Sequence, residues 1–473
     1  MPLASQPGTA AMLKRAPAFL LPALLAACTV GPRYEEPPDM ATPARFDQAT
    51  AEATADPAKS DLWRGFGSPE LDRMITRALA ANTTIAQASA RLAETRALSG
   101  LSIYSWFPTV TAAGDRQKAQ YSTDDPFAPG GIRTDTWRAG FDALWEIDLF
   151  GSLRNEFHAI DRRTEADAAA LGDAQLSIVA ETAQAWFAMI GARERLALRR
   201  QQLANQEDNV RILTARVNAG NSSGLDLAQA EAQRRGVAAS LPLAEADLVR
   251  EEQRLAVLTA WPIETLRANT SPATTIPELP ELVATGTPEE WMRRRPDIRS
   301  AERELAATYA DVGDEVAEYF PKVTLLGSFG WTSSDREGIG EPEAERWFYG
   351  PSITWSFLDF GRVRQRVKAA EARRDGAIAI YQETVLEALE ETENSLAGFR
   401  AANQSEAELR LGLEAATEAS RLARRRYEVG AGDYLAVLVA DRQKLDFEDQ
   451  HVQAETRRAT ALAALYKALA GAP

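Results

Sequence analysis

The spacing of apolar residues changes along this chain, and each change predicts a different element. From Trp137 to Ile147 every second residue is apolar: Trp137, Ala139, Phe141, Ala143, Trp145 and Ile147, with Arg138, Asp142 and Glu146 between them. A period of two gives a strand with one greasy and one wet face. The alternation returns in Val323, Leu325, Phe329 and Trp331, and again in Trp347, Tyr349, Ile353, Trp355 and Phe357. Pro108 to Tyr121 alternates weakly and is read as a strand by symmetry with 321–333. The long stretches between read as helices. No proline interrupts Ser152 to Gly220, or Ser352 to Ala472. A helix over Ser152–Ala219 spans about 100 Å at ~1.5 Å per residue. Gly220 and Gly430 stand where such helices would stop and turn. Leu435, Leu438, Leu445 and Val452 recur at three, seven and seven residues, a coiled-coil spacing.

The chain is written twice. FPTVT at Phe107 returns as FPKVT at Phe320, 213 residues later, and Phe150-Gly151 returns as Phe360-Gly361 at an offset of 210. The segment from Arg216 (RVNAGNSSGLDLAQAEAQ) returns, one position in, at Tyr427 as YEVGAGDYLAVLVADRQ, again at 210. A repeat this long is a duplicated half. The first half, 63–261, is expected to hold a helix over 70–103, strands over 107–122 and 133–148, and helices over 152–219 and 225–260. The second, 297–473, is expected to hold a helix over 297–319, strands over 321–333 and 346–358, and helices over 361–429 and 433–470. Residues 262–296, with six prolines, are expected to form a linker without regular helix.

Charge and composition narrow the classes. The net charge of −15 opposes nucleic-acid binding, since phosphates demand a basic face. Beyond the N-terminus no run of ~20 apolar residues offers a spanning helix, so any crossing of a membrane requires a closed β-barrel. One cysteine and two histidines, His158 and His451, leave little for transition metals, and no cofactor is expected. No Ser/His/Asp or Cys/His set and no phosphate-binding glycine loop is present, so an enzyme is the weakest option.

The N-terminus reads as an address. Lys14 and Arg15 precede an apolar run, Ala16–Ala27, in the layout of a secretory signal over 1–27, with Met12 an alternative start to Met1. Leu25-Ala26-Ala27-Cys28 resembles a bacterial lipobox. That resemblance implies cleavage before Cys28 and acylation there, and Thr29 in place of the retention aspartate implies the outer membrane. The bland alternative is an ordinary signal peptide with an incidental cysteine. Residues 28–62 read as an extended arm.

Tryptophan and tyrosine near strand ends fit an interfacial girdle, although a soluble antiparallel sheet with one buried face fits the alternation too. Single-chain bacterial barrels start at ~8 strands, and open edges cannot sit in lipid. Four strands per chain must therefore be pooled, and three chains supply twelve. The class expected is an α+β membrane protein, a trimeric 12-stranded barrel continued by a long α-helical barrel.

Motifs carry a resemblance: CTVGPRYEEP at Cys28, LWRGFGSPELDRMITRALAAN at Leu62, RRPDIRSAE at Arg294 followed by FPKVTLLGSFG, and RRYEVGAGDYLAVL at Arg425. Together they resemble the outer-membrane factor family of TolC-like channels, and within it the NodT/OprM-type efflux lipoproteins. The resemblance implies a homotrimer in outer-membrane lipid that docks a periplasmic membrane-fusion adaptor and, through it, an inner-membrane pump of the resistance-nodulation-division class. Such a chain is a conduit for small molecules. The alternatives are a duct for secreted polypeptide and, from another class, an envelope-tethered coiled-coil lipoprotein without a pore. The resemblance also places a gate at the turns Asn218–Asp226 and Arg426–Val439. Tyr427, Gly430 and Leu435 match the family pattern, and Tyr434 lies beside them. The usual LDVLDA does not, because Ala436 and Val439 replace both aspartates. An apolar constriction follows, gating by exclusion of water. Asp226 and Asp433 are the remaining acids, Arg426 is their candidate partner, and helix capping is the competing role. Arg138, Asp142 and Glu146 are expected to face the lumen.

Overall fold

The computed structural model describes residues 29–37, 40, 43–49, 66–124, 131–271, 275–279 and 283–469. The signal segment and Cys28 lie outside the described residues. The elements in order are α1 (Pro69–Ala81), α2 (Thr83–Tyr104), β1 (Thr109–Gln120), β2 (Arg133–Ile147), α3 (Ser152–Asn218), α4 (Gly224–Thr259), α5 (Ile263–Ala268), α6 (Pro288–Arg294), α7 (Pro296–Ala317), β3 (Lys322–Ser333), β4 (Glu345–Thr354), α8 (Phe360–Glu428) and α9 (Tyr434–Ala468). They divide into two compact units. One comprises 1–38, 94–165 and 303–379, and the other 39–93, 166–302 and 380–473.

The first unit holds the sheet, in the order β1-β2-β3-β4, all antiparallel. Its central ladder, β2 with β3, joins the two sequence halves. At the sheet's base Phe150 stacks on Phe320 with ring centroids 4.6 Å apart. The N-terminal arm docks there: Val30 N donates to the Phe150 carbonyl (3.1 Å), and Thr29 packs where a Cβ on Gly151 would stand. Gly151 has φ +89°, a backbone that favours glycine.

The second unit is helical and packs through small residues and a few aromatics. Phe66, Phe187 and Tyr466 cluster, with Phe66 centroids 5.1 and 5.3 Å from the other two, and Trp186 meets Phe187 at 5.0 Å. A Cβ on Gly191 would collide with the Thr456 side chain, so α3 and α9 are in close approach. Buried Arg295, in the RRPDIRSAE motif, forms ion pairs with Asp297 and Glu391, both at 2.7 Å. It also donates to the Ala468 carbonyl, which accepts from Trp291 Nε1 and Thr392 Oγ1 as well. Three donors thus satisfy one free carbonyl at the end of α9.

Several expectations need correction. The helix expected over 70–103 is two helices, because buried Asn82 is extended (ψ 132°) and spends its side chain on the Leu258 carbonyl and the Thr84 N–H. The 262–296 linker contains two short helices, α5 and α6. Pro262 is the N-cap of one and Pro288 the first residue of the other, positions where no intrahelical N–H is needed. The last strand ends at Thr354, so Trp355 and Phe357 lie beyond it. Leu435 does not continue the coiled-coil seam. It is 53% exposed, while Tyr434 and Val437 are buried with Leu438 packed against them.

Candidate functional site

The sheet's two faces differ in chemistry. Register places Trp137, Ala139, Phe141, Ala143, Trp145 and Ile147 on one face with Val323, Leu325, Phe329 and Trp331, and with Trp347, Tyr349 and Ile353 beyond them. Trp347, Tyr349 and Ile353 are 64%, 78% and 69% exposed, far too much for a buried core face. The opposite face carries Arg138, Asp142 and Glu146 beside Asp115, Thr324, Ser328 and Arg346. Arg138 Nη2 reaches Gln117 Oε1 at 3.5 Å, and Arg346 Nη1 donates to Ser328 Oγ at 3.2 Å. The three expected residues therefore share a face that is predominantly polar, although Leu144, Leu326 and Phe348 also lie on it.

Two indoles mark the base of the apolar face. Trp145 Nε1 donates to the Trp106 carbonyl and Trp355 Nε1 to the Tyr319 carbonyl, both at 3.0 Å, at equivalent places in the two halves. Such a ring buries its apolar body while its N–H stays satisfied, which suits a membrane interface. Trp137 marks the other end, with Arg116 over its ring at 4.6 Å. Eight residues separate Trp137 from Trp145. At ~3.4 Å per residue and a tilt near 40°, that is about 21 Å, close to the ~25 Å apolar band of an outer-membrane strand set. Among the described residues, β1 and β4 each keep one edge unpaired.

The helical turns are built twice, alike. α3 and α8 both end in a Schellman motif. Gly220 N and Gly430 N donate to the Val217 and Tyr427 carbonyls (3.0 Å each), and Asn221 N and Ala431 N to those of Arg216 and Arg426 (2.8 and 2.9 Å). Gly220 and Gly430 have φ +74° and +73°. Ser223 and Asp433 then cap α4 and α9.

This geometry decides the acids' roles. Asp433 Oδ1 accepts from Ala436 N at 3.0 Å. Asp226 completes a capping box with Ser223, whose backbone N–H holds the carboxyl below its usual range, and it accepts from Ser222 Oγ at 2.9 Å. Both are caps. Arg426 folds back over its own turn, its Nη2 3.5 Å from the Ala431 carbonyl. Among the described residues it forms no ion pair with either acid, contrary to expectation.

A small core holds the turns together. Leu213, Ala230, Tyr434 and Val437 are buried, with Leu227 and Tyr427 against them. Tyr427 and Tyr434 rings lie 5.4 Å apart, and Arg216 stacks over Tyr427 at 4.8 Å. The Tyr434 hydroxyl is buried without a hydrogen-bond partner, and burial, then the charge of Asp441, pushes its pKa up to about 12. Asp441 itself is buried and accepts from Ser420 Oγ (2.6 Å) and Arg424 Nη2 (2.8 Å). Sequence reading missed Arg216, Ser420, Arg424 and Asp441, because their pairing depends on how two helices face each other. Leu435 and Val439, one turn apart, are 53% and 59% exposed. So is Leu225, at 66%, which the 210-residue offset makes the counterpart of Leu435 and would have revealed.

Strands with one girdled apolar face and one largely polar face, alternating with helices of 67 and 69 residues, are the subunit architecture of an outer-membrane channel. The family model for outer membrane efflux proteins matches residues 74–260 and 287–471, and the chain belongs to that family. It is 31% identical to the outer membrane protein OprJ of Pseudomonas aeruginosa, over 97% of this chain and 96% of that one. The solved outer-membrane channel OprN matches with a TM-score of 0.87 and 34% identity, covering 94% of this chain and 99% of its own. The MtrE outer membrane channel of Neisseria gonorrhoeae, in its open state, matches at 0.80 and 27%, covering 94% and 98%. The protein is thus an outer-membrane efflux channel component of a Gram-negative bacterium, with a large periplasmic part.

Proposed function

We propose that three copies pool their strands into one twelve-stranded barrel and their long helices into a periplasmic tube, the exit duct of a tripartite efflux system. The observation that carries this is a two-faced sheet with a free edge on β1 and another on β4. In lipid, an unpaired edge leaves backbone groups with no partner, and joining β4 of one copy to β1 of the next removes every edge. The polar face, with Arg138, Asp142 and Glu146, then lines the lumen.

A membrane-fusion adaptor meets the helical tip and an inner-membrane resistance-nodulation-division pump supplies the energy. Small molecules pass through. The exposed Leu435 and Val439, with Leu225, form the apolar constriction, and water exclusion closes it. Cys28 carries the lipid anchor. Docking of Thr29 and Val30 at the base of the sheet supports this, since both residues lie beside the strand ends that meet the inner leaflet.

Light scattering on the detergent-solubilised protein, corrected for detergent and lipid, tests the reading. Three chains per particle is the expected mass. A stable, folded monomer would leave both edges open and refute the pore.

A further inference from the structure

With two histidines in the chain, the sequence argued against a metal. The fold nevertheless collects one of them with two carboxylates in the helical unit. Glu406 comes from α8, and His451 and Glu455 stand one turn apart on α9. One ligand atom from each lies within 4.8 Å of the other two, and all three side chains are half-buried.

Their present partners leave them under-used. His451 Nε2 is 3.7 Å from Glu455 Oε1, too long for a hydrogen bond. His451 Nδ1 is buried with no hydrogen-bond partner at all. Among the described residues, neither Glu406 nor Glu455 has an arginine or lysine at ion-pair distance. One imidazole nitrogen and two carboxylate oxygens, converging with no arginine or lysine paired to either glutamate among the described residues, are donor types that a zinc-class cation takes.

We propose that Glu406, His451 and Glu455 bind a divalent transition cation of the zinc class. The mixed nitrogen and oxygen donors select that class over the all-oxygen preference of calcium or magnesium. Small rotations of the two flexible glutamates draw the donors to the ~2.0–2.2 Å bond lengths that zinc takes. Water completes the shell. The ion then ties α8 to α9 well away from the turns that join them, stiffening the helix pair.

The test is titration calorimetry of the full-length, detergent-solubilised protein with zinc chloride. One ion per chain is expected. His451→Gln and Glu406→Gln should each weaken binding by more than the ~10–100-fold that losing an outer-shell partner costs. His158→Gln, which changes the other histidine, should leave it unaltered. Zinc-edge X-ray absorption should report one imidazole among oxygen donors. If a variant loses the wild-type particle mass, Glu455→Gln replaces it. No saturable binding by the wild-type protein overturns the proposal. So does binding that survives His451→Gln or that disappears in His158→Gln.

Discussion

Replacing Gly140 by alanine should weaken the sheet at the seam between its two halves. Gly140 pairs with Gly330 across the β2–β3 ladder. A Cβ at residue 140 would stand 2.6 Å from the Phe329 carbonyl oxygen and 2.9 Å from Gly330 Cα. Both are backbone atoms, so no rotamer change relieves the clash. Ordinary contact begins near 3.4 Å, so the strands must part by about 0.8 Å. That separation strains or breaks the two nearest ladder hydrogen bonds. At roughly 0.5–1.5 kcal/mol net each, with a further cost for unpaired backbone in lipid, the loss is about 2–4 kcal/mol per chain. Gly327→Ala is the internal control. It lies on the partner strand β3, three residues from Gly330, and its new Cβ would meet only the Ala143 Cβ at 3.8 Å. Both variants would be purified in detergent and melted while near-ultraviolet dichroism reports the tryptophans. Gly140→Ala should melt well below wild type and Gly327→Ala within a degree or two of it. Equal melting of the two variants would refute the claim that the close backbone approach of Gly140 and Gly330 excludes a side chain at this pair.

Other expectations are simpler to state. The Tyr434 phenol has a folded pKa of about 12 against an ordinary value of 10.0, so the unfolded chain loses that proton first. Stability should fall as pH rises from about 10 to about 12, and Tyr434→Phe should remove that slope in a pH series of hydrogen exchange at the turns. Leu435→Ser should raise single-channel conductance in planar bilayers, and an unchanged conductance would place the narrowest point elsewhere. Cys28→Ser should abolish incorporation of a fatty-acid probe, and persistent labelling would remove the lipid anchor from that residue.

The strands and long helices were legible in the chain because their periods are local. Trp137 to Ile147 displays both faces of β2 without any partner in view. The break at Asn82 was not legible, because its cause is the Leu258 carbonyl, 176 residues away. The linker prolines misled for another reason. Proline opposes a helix interior but suits a first turn, and only the flanking Thr287, which caps Glu290 N, distinguishes the two. At the turns, sequence located Tyr427, Tyr434 and Leu435 but misassigned Arg426. Its neighbour Arg424 looks equivalent in a list of residues, yet lies on the helix face that meets Asp441.

The order of the sheet also constrains how the chain comes to exist. β1 and β2 form a hairpin from neighbouring residues, as do β3 and β4, and each closes early. The ladder that joins them pairs Phe141 with Phe329, 188 residues apart. Contacts at that separation form late, after the loop-closure entropy has been met. A chain delivered N-terminus first therefore carries one hairpin with an unpaired β2 edge until its C-terminal half arrives. During that interval the edge is open to wrong partners, other nascent hairpins above all. The duplication that provides four strands from one chain thus makes the second half, rather than the first, the step that commits the protein to its membrane form.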